Sequence, residues 1–136
     1  MTSIRVIPTN VHSAVDHVVG PALIAAPEVL RLNRLSPEGL VPRVSGIAAA
    51  IYSNLTDYEL SLKNLIPMKA HLALDAVSGA ALAAVPLATG AHKRGLRHWL
   101  PHTLIGAFEV GMALTTKTQP PRSKPRRFAR VLGLAR

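Results

Sequence analysis

No cysteine occurs in the 136 residues, which excludes disulfides and any metal or iron–sulfur centre ligated by thiolates. Aromatic residues are almost as scarce, with one Trp, two Tyr and two Phe. A water-soluble core of this size normally rests on such large anchors. Here the 49% apolar share is carried by Ala, Leu, Val and Ile. Acidic residues are few too: 7 face 16 Lys and Arg, for a formal net charge of +9. An excess of that size suits nucleic acid, but no nucleic-acid-binding fold or aromatic stacking platform accompanies it. The chain also lacks a Gly-rich phosphate loop and a serine in a nucleophile elbow. Ser13, Ser45, Ser53 and Ser78 lie within apolar runs and read as small packing residues. A non-enzymatic protein that binds no nucleic acid is therefore expected. The N-terminus, with Arg5, Pro8 and a His/Asp-bearing stretch, lacks the clean apolar centre of a signal peptide.

What the sequence does contain is a repeat. Residues 7–27 and 66–86 match at 11 of 21 positions without a gap, at an offset of 59. Ile7-Pro8 recurs as Ile66-Pro67, His12 as His71, Asp16 as Asp75, Gly20 as Gly79 and Pro27 as Pro86. The offset persists faintly downstream, pairing Pro42 with Pro101, Ala48 with Ala107, Leu55 with Leu114 and Thr56 with Thr115. Self-similarity of this kind sets the architecture.

Four apolar segments follow, at about Val11–Leu30, Val44–Leu55, Leu72–Thr89 and Thr103–Thr116, with polar connections between them. The first and third show no alternation of faces after their opening turn, as expected of a helix buried on every side or in lipid. Spanning takes about 20 apolar residues. The shorter second and fourth segments gain length from flanking Tyr52–Tyr58 and Trp99–Pro101 at headgroup level. The expected fold is an all-α integral membrane four-helix bundle of two tandem helical hairpins. Repeat 1 covers about 7–58 and repeat 2 about 66–118, so residues 1–118 form the four-span domain and 119–136 a basic Pro/Arg-rich tail. Two spans per copy give both copies the same orientation, related by a pseudo-two-fold axis along the membrane normal. Pro42 and Pro101 are expected at helix starts, while Pro21, Pro27 and Pro86 should kink or stop theirs.

Orientation follows from the basic residues. Arg5, Lys63, Lys69, Lys117 and six residues of the tail, 10 in all, share one side, and 6 lie on the other. Positive-inside reasoning places both termini in the cytoplasm of a bacterial inner-membrane, multi-pass protein.

The repeated Ile-Pro-x-x-x-His-x-x-x-Asp-x-x-x-Gly, closing on an apolar Pro segment, resembles the SPW-repeat family of small bacterial membrane proteins. The linking stretch from Tyr52 to Glu59, the following Leu65-Ile66-Pro67-Met68, the Pro101-His102 opening and Glu109 are similar to that family as well. The resemblance covers about residues 7–118. The namesake Ser-Pro-Trp reads Ala26-Pro27-Glu28 in one copy and Val85-Pro86-Leu87 in the other. Membership implies a four-helix membrane protein and no particular activity.

His12 with Asp16, and His71 with Asp75, stand four apart and share a helix face. By topology both pairs meet the ends of the second and fourth helices, so a structural polar cluster is expected from His12, Asp16, His71, Asp75, Thr56, Asp57, Tyr58 and Thr115, with Asn54 and Thr116 beside it. Three roles fit: bonds that fix how two smooth helices dock, a divalent cation or haem site, and a proton or ion path. The i, i+4 spacing also satisfies a plain His–Asp hydrogen bond, so no metal or cofactor is assigned. Glu109 is the one carboxylate deep in an apolar run. It is expected to be protonated, or paired with His102, Tyr52 or a partner subunit. In the tail, Arg122, Lys124, Arg126, Arg127 and Arg130 suit either a solvated extension or contact with anionic lipid headgroups.

These features lead to a non-enzymatic accessory or scaffold subunit beside a larger membrane complex, or a homo-oligomer. A small ion or proton transporter using the His/Asp cluster and Glu109 is the alternative, and a metal- or cofactor-binding membrane module a further one.

Overall fold

The computed structural model describes residues 4–120, so the five basic residues assigned to headgroups in the tail lie outside the described residues. Four α-helices account for most of the described chain: α1 Thr9–Val29, α2 Pro37–Leu55, α3 Met68–Ala88 and α4 Leu100–Thr115. Among the described residues there is no strand, and the class is all-α. Two single 3₁₀ turns, Ala91–Arg94 and Leu96–His98, lead from α3 into α4. The helices pack as α1 against α2 and α3 against α4, with α2 also meeting α3.

Pro8 and Pro67 stand at the N-cap positions of α1 and α3, where a missing N–H leaves no helical bond unmade. Pro101 falls in the first turn of α4 as expected. Pro42 does not begin its helix: α2 starts at Pro37, after Ser36. Proline cannot donate to the carbonyl four residues back, which here is that of Glu38. The Nε2–H of His102 takes the vacant place, donating to Glu38 O at 2.6 Å. Nor do Pro21, Pro27 and Pro86 stop their helices, since α1 runs to Val29 and α3 to Ala88.

Beyond Val29 the chain closes α1 with a Schellman turn. Leu32 N–H donates to Pro27 O at 2.8 Å and Arg31 N–H to Glu28 O at 3.1 Å. Arg31 adopts φ 54° at the position where α3 has Gly90, at φ 72°.

Helix pairs cross on glycine. The oxygen of Gly20 lies 2.5 Å from where a Cβ on Gly46 would stand, and that of Gly79 lies 2.3 Å from the same point on Gly106. Only a residue without a side chain permits backbones this close.

Buried positions mix polar and small residues with apolar ones: α3 and α4 bury Met68, Leu72, Leu82 and Met112, whereas α1 and α2 bury mostly polar and small side chains. The inward stripe of α1 is Thr9, His12, Ser13, Gly20, Leu23 and Pro27, and that of α2 is Glu38, Gly39, Pro42, Gly46 and Ser53. Many large apolar side chains point outward, among them Val11, Val18, Leu40, Ile47, Ile51, Val77, Leu87, Leu104, Phe108 and Leu114. Among the described residues, α3 alone is long and apolar enough to cross a membrane, at a mean hydropathy of 1.5. His and carboxylate residues dilute α1, Glu38 and Arg43 dilute α2, and α4 has 16 residues.

The two hairpins are stitched at one end by isolated parallel bridges, Ile7 with Thr116 and Thr56 with Ile66. Ile7 N–H donates to Thr115 O and Lys117 N–H to Ile7 O, at 3.0 and 2.9 Å. Asp57 N–H to Ile66 O and Ile66 N–H to Leu55 O repeat the pattern at 2.9 and 2.8 Å. The Arg5 guanidinium adds bonds to Ala113 O and Thr116 O, the otherwise open carbonyls at the end of α4.

Candidate functional site

The stitched end holds the densest polar cluster of the described residues. His12 and Asp16 lie one turn apart on α1, and His71 and Asp75 one turn apart on α3, so each helix aims an imidazole and a carboxylate at the same point. Within each helix the His–Asp contacts are 3.4 and 3.1 Å. The crossed contacts are shorter: His12 Nε2 to Asp75 Oδ2 at 2.9 Å and His71 Nε2 to Asp16 Oδ2 at 3.0 Å. The cluster is thus a link between helices more than a pair of local bonds. The two Nε2 atoms lie 3.2 Å apart, and one ligand atom from each of the four residues falls within 4.8 Å of all the others. Both histidines are buried to 1% exposure or less.

Helix ends supply the surroundings. His12 Nδ1 meets Thr116 Oγ1 at 2.8 Å, and His71 Nδ1 meets Thr56 Oγ1 at 2.8 Å. The Tyr52 hydroxyl donates to Asp75 Oδ1 at 2.6 Å, and the Tyr58 hydroxyl to Asp16 Oδ2 at 3.0 Å. Burial of the Tyr58 phenol raises its pKa, which keeps it a donor to the carboxylate. Rings of Tyr52, Tyr58 and His12 pack edge-on or tilted around His71, with centroids 5.0–5.3 Å away. Thr9 completes the rim by donating to Glu59 Oε1 at 2.8 Å.

Of the residues assigned to this cluster from sequence, His12, Asp16, His71, Asp75, Thr56 and Tyr58 come together. Asp57 does not: its side chain is exposed and only its backbone N–H takes part, in the bridge to Ile66. Thr115 does not either. Its hydroxyl turns back to Gly111 O, and its neighbour Thr116 occupies the place beside His12. The 59-residue offset that relates His12 to His71 becomes 60 between Thr56 and Thr116, because the second hairpin carries one more residue before its last helix ends. The same shift relates Gly46 to Gly106 and makes Ala49 the counterpart of Glu109. Tyr52, read from sequence as an interfacial aromatic, is the strongest donor to Asp75.

Glu109 stands beside the cluster. It shares with Asp16, Tyr52 and Asp75 a cavity of about 20 Å³, enough for roughly one water. Its Oε2 is buried with no hydrogen-bond partner among the described residues. The expected partners are engaged elsewhere, Tyr52 with Asp75 and His102 with Glu38 O.

A second buried carboxylate escaped the sequence reading. Glu38, 1% exposed, lies at the opposite end of the bundle, where Arg94 pairs with it at 2.7 Å and His98 approaches to 3.5 Å. Glu28 there binds Arg34 at 2.9 Å and Arg43 as well. Those partners arrive from other elements, so spacing along one helix carried no signal for them.

Comparison with protein-family models, with curated proteins and with solved structures finds no match to this chain.

Proposed function

We propose that this chain is a non-enzymatic, multi-spanning membrane protein of two tandem hairpins, which serves as an accessory or scaffold subunit. The observation that carries this reading is the many large apolar side chains left on the outside. Histidine, carboxylate, hydroxyl and small residues share the inside with Leu23, Met68, Leu72, Leu82 and Met112, while exposed Leu, Ile, Val or Phe side chains stand on every helix. In water that arrangement would expose large apolar faces at a cost of about 25 cal/mol for each Å²; against lipid or another membrane helix it costs nothing. Glycine crossings in both hairpins fit the close approach typical of membrane helices. The resemblance to the SPW-repeat family points the same way.

Of the six basic residues on the side away from the termini, Arg34, Arg43 and Arg94 are held by Glu28 and Glu38. The basic residues on the side of the termini support a bacterial inner-membrane placement with both termini in the cytoplasm. The smooth outer faces offer a packing surface for a larger complex or for further copies of this chain, and the tail suits anionic lipid. Gentle solubilisation of native membranes, purification and mass spectrometry test the role. Stoichiometric recovery with a large membrane complex supports the accessory reading, and recovery in the soluble fraction overturns membrane insertion.

Glu109 favours a second reading, a small proton or ion transporter. Its unpartnered Oε2 shares a water-sized cavity with Asp16 and Asp75. Proton flux in proteoliposomes that vanishes in Glu109→Gln would support that alternative.

A further inference from the structure

We propose that His12, Asp16, His71 and Asp75 form a binding site for one divalent transition-metal ion of the zinc type, four-coordinate and shared between α1 and α3. A threonine hydroxyl carries a single proton. Thr116 donates it to Met112 O at 2.7 Å, and Thr56 donates it to Tyr52 O at 2.7 Å. Each hydroxyl oxygen therefore only accepts from the imidazole beside it, at 2.8 Å in both cases. Both rings are fixed with hydrogen on Nδ1, which leaves Nε2 of the neutral ring as a bare lone pair. Two such lone pairs face each other across 3.2 Å, with an Asp75 oxygen 2.9 and 3.1 Å from them. Electron-rich atoms converging in this way repel one another unless positive charge sits among them.

The imidazoles are engaged on their outward side by Thr56 and Thr116 and Asp75 on its outer Oδ1 by Tyr52, while Tyr58 donates to the Asp16 oxygen that also faces His71. Outer-shell bonds of this type orient metal ligands and set the histidine tautomer. A tetrahedral centre with bonds of about 2.0–2.1 Å separates its ligand atoms by about 3.3 Å. The His–His and His–Asp contacts here run from 2.9 to 3.4 Å, those of Asp16 through its two different oxygens, and a set of one ligand atom from each residue lies within 4.8 Å. Two imidazoles and two carboxylates without thiolate suit zinc, cobalt(II) or iron(II), while calcium asks for about 6–8 oxygens. The site does not depend on membrane insertion. Protonation of the rings is the competing way to bring positive charge here, and a metal titration separates the two.

The full chain, purified in detergent and freed of metal with a chelator, is titrated with cobalt(II) and then zinc. One equivalent of cobalt with the intense visible bands of a tetrahedral ion, displaced by zinc, is expected. His71→Ala should abolish the bands. Thr56→Val, which removes no ligand, should weaken binding by about 10–100-fold, and Thr56→Ser should restore it. Wild-type protein that takes up no stoichiometric cobalt overturns the site, whatever the variants do. Bands that survive both His12→Ala and His71→Ala overturn it equally, and undiminished affinity in Thr56→Val overturns the hydroxyl-set tautomer.

Discussion

The two hairpins are built from the same parts up to their crossing points and from different parts beyond them. Both bring a histidine, an aspartate, a glycine and a C-terminal threonine to matching places, His12 with Thr116 and His71 with Thr56. The first hairpin alone supplies Tyr52 and Tyr58, which hold the two carboxylates. The second alone supplies Glu109, where the first has Ala49. Glu109 also tightens its own crossing: its Cβ lies 2.8 Å from where a Cβ on Gly79 would stand, whereas the Ala49 Cβ is 4.0 Å from that point on Gly20. The shared residues fix geometry, and the unshared ones give that geometry a direction.

The largest test of the comparison sets the two carboxylates against each other. Asp75 faces both histidines and Tyr52, and is the more deeply buried. Asp75→Asn should cost about 3–5 kcal/mol, in the range for a broken buried charge network. Asp16→Asn, at a less buried carboxylate that faces both histidines and accepts from Tyr58, should cost less, and equal losses in thermal unfolding in detergent would show that the Tyr52 bond adds nothing beyond the Tyr58 one. Next come the crossings. Gly106→Ala would put its Cβ 2.3 Å from Gly79 O, while Gly20→Ala meets Gly46 O at 3.5 Å. About 1–3 kcal/mol is expected for Gly106→Ala and little change for Gly20→Ala; a reversed order would refute the crossing geometry.

Glu109→Met removes a buried oxygen without a partner while keeping length and shape. Stability should hold or rise by about 1 kcal/mol, and a lower midpoint would reveal a partner for Oε2. The smallest effect is at the helix ends. Arg31 sits at φ 54° where α3 has Gly90, and the left-handed region costs an L-residue about 1–2 kcal/mol. Arg31→Gly should therefore raise stability by up to about 1 kcal/mol, measured in the same unfolding series.

Much of this was legible in the repeat. Five identities between the copies, His12/His71, Asp16/Asp75, Gly20/Gly79, Leu23/Leu82 and Pro27/Pro86, recur at steps of four, four, three and four. They form one inward stripe on each helix, whereas Ala14/Ala73 and Val18/Val77 face outward. Ala22/Ala81 and Ala25/Ala84 continue that outward set at the same spacing, so the residue types His, Asp, Gly and Pro, and not the spacing, single out the inward stripe. The start of α2 was not legible, because Glu38 and Arg43 read as a polar connection. Their charges are neutralised by Arg94 and Glu28 from other elements. An offset of 59 pairs Thr56 with Thr115 and set Thr116 only beside the cluster, but the two connections differ in length and Thr116 takes the place next to His12. The first link, 30–36, precedes a 19-residue helix, and the second, 89–99, precedes one of 16. The phenol of Tyr52 was assigned to the headgroup region because nothing in its local sequence shows that Asp75 lies opposite.

The paired bridges at the stitched end carry a topological consequence. Ile7 lies against Thr116 as Ile66 lies against Thr56, so α4 is followed in space by α1 much as α2 is followed by α3. The likeness lies in the backbone bridges at that end, since along their lengths α2 packs against α3 more closely than α4 does against α1. A circular permutant that begins at α3 and ends with α2 keeps every inward contact described here. Two hairpins made as separate chains still carry the α2–α3 contact and the Ile7–Thr116 bridge to bring them together, so complementation of fragments is built into the layout.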